Sequence, residues 1–404
     1  MFIRLLERRL GKEVEKEMVV IVSAGLRSKL DTAVLALQRR VVCGSLTCTK
    51  LSLEILRELL VSSRFASPSE LLEGVRGVGT ELLEAAPHEL CIGNVTRRVL
   101  FLVREDLARL LVGMESTNSS FNNMSLNSSR TDESSHASSS KSLLNAVLPA
   151  SKEGIALSAE EETESSLSKR MNSLRQTVVH SINELYDELD NLFEPISEQA
   201  QEHIHADERI FTMGYSPLVE SFLRSAAKKR HFNVFIAEGG PLLEGVKLAN
   251  SLAKIPNISV TLVPDCNIYP LMSRVNKVVL SPHAVLADGG LIASSGSELV
   301  AVAAKDFSVP LICLATTFML SPVFAHNHEE VLGQLLSPAL VIDYDAAVNA
   351  DRAEVIVSAY DYVPPQYIDT FITNSGTVQP SYVYRLLGEY YHASDYDLNL
   401  KQQQ

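Results

Sequence analysis

The chain has 404 residues, of which 46% are hydrophobic and 21% charged, so we expect a globular protein of one or two domains. Its net charge of −13 argues against a general nucleic-acid surface, because such a surface needs basic residues to neutralise phosphates. Five cysteines show no CxxC spacing, and no apolar run approaches the ~20 residues that cross a bilayer. We therefore expect reduced thiols in a cytosolic protein, without a disulfide framework or zinc.

The first predicted region, residues 1–114, is a helical domain. Leucines and an isoleucine recur between Leu51 and Leu60 at the spacing of an apolar helix face. Ser67 and Glu70 make a capping box, and Pro68 stands at the first helical position between them. This pattern predicts that a new helix begins at Pro68.

Two glycines and a serine-rich stretch are predicted to divide the chain further. We expect Gly77 and Gly79 to end the helix that follows Pro68, and another helix to run from Thr96 to about Gly113. Residues 115–164 are then a predicted disordered insertion. Eleven of the 25 residues at positions 116–140 are serine, so this stretch cannot bury enough apolar surface to offset its chain entropy.

Residues 165–205 are predicted to complete the helical domain with one long helix, which Pro195 breaks. Its apolar positions repeat at intervals of three and four and form one stripe: Leu167, Met171, Leu174, Val178, Ile182, Leu185, Leu189 and Leu192. Asn183, Glu184 and Asp187 fall off this stripe. They give an acidic outer face, which is either a solvated surface or a docking strip for a basic partner.

Two histidines follow this helix. His203 and His205 are two positions apart, so on a helix they point in different directions. A metal-binding pair needs a spacing of four. We therefore predict no metal site here and assign His205 to packing or to an interface.

Residues 206–404 are predicted to form a Rossmann-like α/β domain with a mostly parallel sheet. Five short runs rich in β-branched residues, most of them separated by helical patterns, predict its strands: Ile210–Gly214, Phe232–Ala237, Ser259–Val263, Lys277–Leu280 and Pro310–Ala315. Ligands of such sheets bind in the crevice at the carboxyl ends of the strands.

Three turns face that predicted crevice: Gly214–Ser216, Glu238–Pro241, and the stretch after the fourth strand from Ser281 to Ser297. Glycines before a helix suit an anion at the helix amino terminus, but they also make ordinary tight turns. None of the glycine-bearing turns carries a lysine or an arginine. We therefore expect the crevice not to hold a phosphate.

The later part of the chain predicts two strands, an extended segment, a third strand with its turn, and a helix, in this order: Val341–Asp345, Glu354–Val357, Asp361–Pro365, Phe371–Gly376 and Pro380–Tyr391. The prolines fix the extended segment, because each proline sets its own φ and restrains the residue before it. The polar tail beyond His392 is expected to fray.

Five separate segments carry a family resemblance: Gly93–Leu100, Glu202–His205, Met272–Val278, Asp361–Pro365 and Pro380–Leu386. Together they resemble the regulatory subunits of eukaryotic translation initiation factor 2B, and among these the beta subunit. The resemblance covers nearly the whole chain apart from the serine-rich insertion and the first forty residues.

This family shares its fold with sugar-phosphate isomerases, which use a cysteine after the first strand and an aspartate after the fourth. In this chain Gly214 stands in the place of the cysteine, and His283 in the place of the aspartate. Glu238 lies where the enzymes have an arginine, Asp288 keeps a turn, and Thr212 completes the predicted vestigial pocket. Isomerisation needs positioned acid and base groups, and glycine has no side chain to supply one. The resemblance therefore implies a protein without isomerase activity.

What the resemblance implies instead is a non-catalytic regulatory subunit. The complex would exchange guanine nucleotide on the GTP-binding initiation factor that carries initiator tRNA, and would sense that factor's phosphorylation. The expected partners are this factor and the sibling alpha, gamma, delta and epsilon subunits, with no direct nucleic acid and no membrane. We predict a basic partner domain at Asn183, Glu184 and Asp187. Subunit contacts are predicted at four further positions: His205, Asn233, Arg274 and Asn276.

We expect no catalytic residue, cofactor or metal. Two alternatives stay open from other classes of function. The first is a sugar-phosphate isomerase, which turnover of a ribose phosphate would reveal. The second is a sugar-phosphate sensor that has lost catalysis, which would give a saturable rise in melting temperature with its ligand.

Overall fold

The structure is a computed structural model, and it describes residues 24–42, 44–63, 65, 67–122, 164–324, 335–342 and 354–398. The predicted insertion falls outside these residues from position 123 to 163. The helices are α1 Ala24–Gln38, α2 Ser45–Ser62, α3 Pro68–Ala85, α4 Leu90–Asn122, α5 Glu164–Asp190, α6 Glu194–Glu198, α7 Ala200–His203, α8 Pro217–Ala227, α9 Glu244–Leu252, α10 Ile268–Met272, α11 Ser297–Asp306 and α12 Val383–Tyr390. The strands are β1 Arg209–Met213, β2 Phe232–Ala237, β3 Ile258–Val263, β4 Lys277–Leu280, β5 Ala284–Val285, β6 Leu291–Ser294, β7 Leu311–Leu314, β8 Tyr360–Val363, β9 Thr370–Thr373 and β10 Gly376–Val378.

Helices α1 to α5 form the helical half of the molecule. The leucine-rich face predicted between Leu51 and Leu60 lies in α2, and its buried members join one core with α3, α4 and α5. The predicted cap is confirmed, because the Ser67 hydroxyl accepts a hydrogen bond from the Glu70 amide at 3.2 Å. Helix α3 begins at Pro68 as expected.

The predicted end of α3 is wrong, because Gly77 and Gly79 lie inside a helix that continues to Ala85. Gly79 is where α3 crosses α4: a Cβ atom at this position would lie 2.2 Å from Cγ2 of Thr96. The glycine therefore serves close helix packing rather than helix termination.

Helix α4 also differs from the prediction at both ends. It begins at Leu90 rather than at Thr96, and it continues past Gly113 to Asn122. No proline follows Gly113 within this range to stop it, and a single interior glycine costs a helix only about 1 kcal/mol. Residues 115–122, predicted as the start of the disordered insertion, are thus helical.

Helix α5 confirms the long helix predicted from its apolar stripe. Leu174, Val178, Ile182, Leu185 and Leu189 are buried against the helical core, and Met171 packs beside them. The helix ends at Asp190, and a proline stands in the first turn of the short α6 that follows. This geometry leaves the acidic face of α5 directed outward.

The α/β half is built on a seven-stranded sheet in the order β10-β9-β7-β4-β1-β2-β3. All neighbouring pairs are parallel except β10 with β9, which is antiparallel. All five predicted strands are confirmed, and so is the fold class of a helical part followed by a mostly parallel, Rossmann-like sheet. The sheet buries apolar side chains on both faces, which explains why its strands read as continuous hydrophobic runs.

A second, three-stranded antiparallel sheet in the order β5-β6-β8 was not predicted. The stretch after β4, predicted as a turn, contains β5 and β6, and part of the predicted extended segment Asp361–Pro365 forms β8. The strand predicted at Glu354–Val357 is wrong, since these residues pair with no strand in the described part of the chain. The first two residues of predicted strand Val341–Asp345 lie in a turn, and the rest fall outside the described residues.

The last elements are close to expectation up to Tyr391. Strand β9 confirms the strand predicted at Phe371–Gly376, and β10 adds the antiparallel edge. The predicted helix from Pro380 begins as a 3₁₀ turn and continues as α12. The expected fraying beyond His392 is wrong for the described part, because Asp395 is fully buried and Leu398 belongs to the helical core.

Candidate functional site

The crevice at the carboxyl ends of β1 and β2 is nearly closed. Gly214 follows β1 with φ of 72°, and a Cβ atom there would approach the Ser294 hydroxyl oxygen to 3.2 Å. A cavity of about 30 Å³ remains between the turns after β1 and β2 and the β6 segment. Small-molecule sites typically enclose roughly 300–1,000 Å³, whereas this cavity has room for about one or two water molecules.

The main-chain amides of the turn after β2 are already occupied. The Gly239 N–H donates to Oδ1 of Asp265 at 3.0 Å, and the Gly240 N–H donates to Oδ2 at 2.8 Å. Successive N–H groups of this kind can hold an anion, and here the chain supplies its own carboxylate. A phosphate at this turn would have to displace Asp265 and meet its charge.

No lysine or arginine is among the described residues that line the cavity, and one of its lining residues is Glu244. The cavity therefore has a negative side chain and no cation to neutralise a phosphate. The basic residues that a sugar-phosphate site needs are absent from this part of the described structure.

The five predicted pocket residues do not converge on the cavity. Of these residues, Gly214 lines it. Thr212 is fully buried within β1, and its hydroxyl has no hydrogen-bond partner among the described residues. Glu238 at the end of β2 is half-buried, and neither its side chain nor those of His283 and Asp288 line the cavity. Their assignment to a vestigial pocket stays a prediction.

His283 faces the helical half rather than the cavity. Its Nε2 lies 3.1 Å from Oε2 of Glu89, at ion-pair distance although the atoms are not aligned for a hydrogen bond. Its ring stacks on Tyr360, with ring centres 4.6 Å apart. Burial tends to raise the pKa of Glu89, but the His283 contact and the Gly44 amide outweigh it and hold that pKa below its usual value. This contact joins the α/β half to the helical half, to which Glu89 belongs.

Asp288 also makes structural contacts within the fold. It accepts a hydrogen bond from the Tyr362 hydroxyl at 2.6 Å and another from the Gly290 amide at 2.8 Å. Burial and the hydrogen bond to Asp288 raise the pKa of Tyr362. These bonds tie the hairpin of β5 and β6 to β8, and they leave the Asp288 carboxylate engaged on both oxygens.

A much larger cleft lies on the acidic side of α5. This acidic cleft encloses about 600 Å³. Glu184, Asp187 and Glu188 line one side, and Arg98 and Tyr390 line the other. The Arg98 guanidinium packs over the Tyr390 ring at 5.4 Å, so the one cation among the described residues that line the cleft lies against the α/β half. Glu184, Asp187 and Glu188 are all exposed, so the cleft presents three carboxylates to solvent, which suits a basic surface.

The predicted partner residues fit this geometry in part. Asn183, Glu184 and Asp187 are all exposed, and Glu184 and Asp187 line the acidic cleft whereas Asn183 does not. Arg98 and Tyr390 were not predicted, because they lie on α4 and α12, far from α5 in sequence. No signal in the α5 sequence could have identified them.

The four predicted subunit-contact residues gather at the amino ends of the strands, opposite the crevice. We call His205, Asn233, Arg274 and Asn276 the amino-edge cluster. Asn276 accepts a hydrogen bond from the Arg209 amide at 3.0 Å, and Asn233 faces Arg209 in the sheet register. The His205 amide donates to the Glu208 carboxylate at 2.9 Å. The cluster therefore lies on one edge, and its role in contacts stays a prediction.

The two neighbouring histidines point to separate partners, as their spacing predicts. The His203 ring lies 3.1 Å from the Thr377 hydroxyl, whereas the His205 ring accepts from Arg230 at 3.1 Å. Across the described residues no group of three or more metal-ligating side chains is assembled. In the same residues no helix is both long enough and apolar enough to span a membrane.

The fold and this pattern of side chains define a class of protein. A family described as the initiation factor 2 subunit family matches residues 41–380, which is most of the chain, and the chain belongs to this family. It is 36% identical to translation initiation factor eIF2B subunit beta of Dictyostelium discoideum over 90% of its own length and 95% of that protein. It is 35% identical to the beta subunit of Schizosaccharomyces pombe, covering 84% of this chain and 90% of that one. The resemblance predicted from the five segments is confirmed.

Solved structures agree on the fold. The crystal structure of eIF2B beta from Chaetomium thermophilum matches with a TM-score of 0.68 and 24% identity over 92% of this chain and 94% of that one. The tetrameric eIF2B-beta2-delta2 complex of the same organism matches with a TM-score of 0.65 and 24% identity, covering 91% of this chain and 95% of that one. A more distant relative, ribose 1,5-bisphosphate isomerase of Pyrococcus furiosus, is 28% identical over 52% of this chain and 65% of its own.

Two residues near the crevice were not predicted from the sequence: Asp265, which occupies the main-chain amides of the turn after β2, and Glu89, which contacts His283. Asp265 lies two residues after the end of β3, so the rule that parallel strands meet at one edge could have placed it beside Gly239 and Gly240. Glu89 gave no such signal, because its contact with His283 joins residues that are far apart in the chain.

Proposed function

We propose that this chain is a non-catalytic regulatory subunit of the beta type in translation initiation factor 2B. The complex would exchange guanine nucleotide on the GTP-binding initiation factor that carries initiator tRNA. The observation that carries the proposal is the identity of about a third to beta subunits over most of both chains. The nearly closed crevice with its own carboxylate supports the absence of isomerase activity.

The proposed partners follow from the same relatives. A relative of similar fold forms a tetramer of two beta and two delta subunits. We propose that this chain assembles with a delta subunit, and with alpha, gamma and epsilon subunits, in the cytosol. We propose residues 1–114 and 165–205 as its helical domain and 206–404 as its Rossmann-like α/β domain, with 115–164 as an insertion whose first residues, up to Asn122, continue α4.

Two different surfaces would bind the two kinds of partner. The amino-edge cluster would contact sibling subunits, and the acidic cleft with Asn183 would contact a basic domain of the substrate factor, where phosphorylation of that factor is sensed. The cleft supports this because three carboxylates line it, and the one guanidinium among its described lining residues is stacked on an aromatic ring. Contact at an exposed acidic strip changes mainly the rate of association and its salt dependence.

Affinity purification of tagged variants from the native cytosol tests whether the two surfaces bind different partners. The double change Glu184→Lys and Asp187→Lys is expected to lower recovery of the substrate factor about tenfold while sibling subunits are retained. The matched control carries Glu54→Lys and Glu298→Lys, two exposed positions outside the cleft. Equal loss in the control, or no loss in the test variant, would remove the proposed role of the cleft.

For the amino-edge cluster we expect the reverse result: a variant there should lose sibling subunits rather than the substrate factor. Arg274→Glu is expected to lower recovery of sibling subunits, since the Arg274 side chain is exposed and its carbonyl, which accepts from Arg209, is unchanged. Arg385→Glu is the control, because Arg385 is also exposed and lies on α12. Retention of all subunits by the Arg274 variant would exclude this edge as the assembly surface.

A sugar-phosphate isomerase or sensor is the second candidate, favoured by the 28% identity to an isomerase over half the chain. The purified complex incubated with a ribose phosphate would reveal turnover if this candidate holds. A saturable rise in melting temperature without turnover would instead indicate a sensor. Neither result is expected from a cavity of about 30 Å³.

A further inference from the structure

The segment after α12 is folded onto the helical half of the molecule. We call residues His392–Leu398 the tail segment. Ala393–Asp395 form a 3₁₀ turn, and the His392 ring accepts a hydrogen bond from the Ser394 amide at its start. Asp395 at the end of this turn is fully buried. A buried carboxylate is rare in proteins unless it is paired, so its partners decide what the segment does.

Three arginines of the helical half hold Asp395 and its neighbours. Arg104 of α4 binds both carboxylate oxygens, with Nε–Oδ2 at 2.8 Å and Nη2–Oδ1 at 2.9 Å. Arg76 of α3 donates to Oδ1 at 2.6 Å. The Nε of Arg97 donates to the main-chain carbonyls of Asp395 and Tyr396, each at 3.2 Å. Two adjacent helices are thus tied to one side chain.

The tail segment also joins the apolar cores of both halves. Tyr396 packs against the core of the sheet, whereas Leu398 is buried in the helical core, to which Phe318 also belongs. Phe318 itself follows β7 and accepts a hydrogen bond from the Asn94 side chain of α4 at 2.9 Å. The segment therefore lies where the two halves meet, and it contacts both.

We propose that the tail segment is a latch that holds the helical half against the α/β half, with Asp395 as its charged contact. A guanidinium fork pairs with one carboxylate in a fixed geometry, so the pairing specifies how the halves are placed. Without the carboxylate, Arg76 and Arg104 become two like charges facing one buried space. The freed space is then a site for a small carboxylate from solution.

Hydrogen exchange on the full chain tests the latch. Asp395→Asn is expected to speed exchange at least about tenfold in the tail segment and along the junction of α4 with the Phe318 turn, while β1 to β4 keep their protection. Glu389→Gln makes the same charge change on an exposed residue of α12 and is expected to alter neither region. Faster exchange confined to the tail segment would show that the junction of the two halves does not depend on it. Equal acceleration throughout the sheet would show a general loss of stability, and either result would contradict the proposed latch.

Chemical rescue gives an independent test that does not depend on the Asn variant. Asp395→Ala removes the carboxylate and leaves a space facing Arg76 and Arg104. Added formate is expected to raise the melting temperature of this variant and to slow exchange at the junction, with no change in wild type or in Glu389→Ala. The same response to formate in all three proteins, or none in the Asp395 variant, would contradict the proposal.

Discussion

The carboxylate of Asp395 lies in the guanidinium fork of Arg104, although the two residues are 291 positions apart in the chain. Asp395 is fully buried, and the Arg104 side chain is one-fifth exposed. A charge pair in such a place is costly to break from one side, because the remaining charge stays buried without a partner. The contact therefore links the tail segment to the helical half more strongly than a surface ion pair could.

Acid should weaken this link in a defined direction. Burial tends to raise the pKa of Asp395, but the bonds and charges of Arg104 and Arg76 outweigh it and hold that pKa below the ordinary 3.8. A carboxylate with a lowered pKa stabilises the folded state fully above its unfolded pKa, and this stability is lost as pH falls through the folded pKa.

We therefore expect Asp395→Asn to cost about 3 kcal/mol near neutral pH and progressively less below pH 3.8. Urea unfolding of wild type and variant, followed from neutral pH to about pH 3, measures this difference. A difference that stays constant with pH would mean that the charge of Asp395 does not contribute. Asp397→Asn, an exposed change in the same segment, is expected to show a much smaller effect.

Gly79 and Gly77 are predicted to respond oppositely to alanine. At Gly79 a Cβ would lie 2.2 Å from a methyl of Thr96, so Gly79→Ala should destabilise the protein by about 1–3 kcal/mol through overpacking. A Cβ at Gly77 would meet no described atom within 4 Å beyond its own stretch of helix, so Gly77→Ala should stabilise α3 by up to about 1 kcal/mol. Urea midpoints of the two variants measure both effects, and equal responses would contradict the helix crossing.

Asp265 is predicted to be what excludes anions from the crevice. Asp265→Ala would free the amides of Gly239 and Gly240, and inorganic phosphate should then raise the melting temperature of the variant. Wild type and the exposed control Asp306→Ala should show no rise. No turnover of sugar phosphates is expected, because the variant still lacks an acid and a base at Gly214. A rise of equal size in wild type would show that the crevice binds phosphate already.

Local patterns were enough to predict much of the fold. The strands β1 to β4 and β7 and the stripe of α5 are set by periodicity within one element, and each was found from its own residues. The pattern at Glu354–Val357 predicted a strand wrongly, because residues of high strand propensity form a strand only where a partner strand is available. In the three-stranded sheet it is β8 that pairs with β6. Ser358, the residue after the predicted strand, forms an isolated β-bridge to Leu335.

Other features depend on contacts that no local pattern contains. Gly79 looks like a helix end until Thr96 is known to pack on it, and the polar tail looks frayed until three distant arginines are placed around Asp395. The predicted site residues show the same limit. The sequence located His283 and Asp288 after β4, but their actual partners are Glu89 and Tyr362.

We propose that this chain works as a subunit of a translation-factor complex rather than as an enzyme. Native mass spectrometry of the tagged chain, purified from its own cytosol, distinguishes these two roles. We expect a hetero-oligomer that contains this chain with a delta subunit and the other sibling subunits, and no free monomer as the main species. A stable monomer or a homo-oligomer that turns over a ribose phosphate would contradict it.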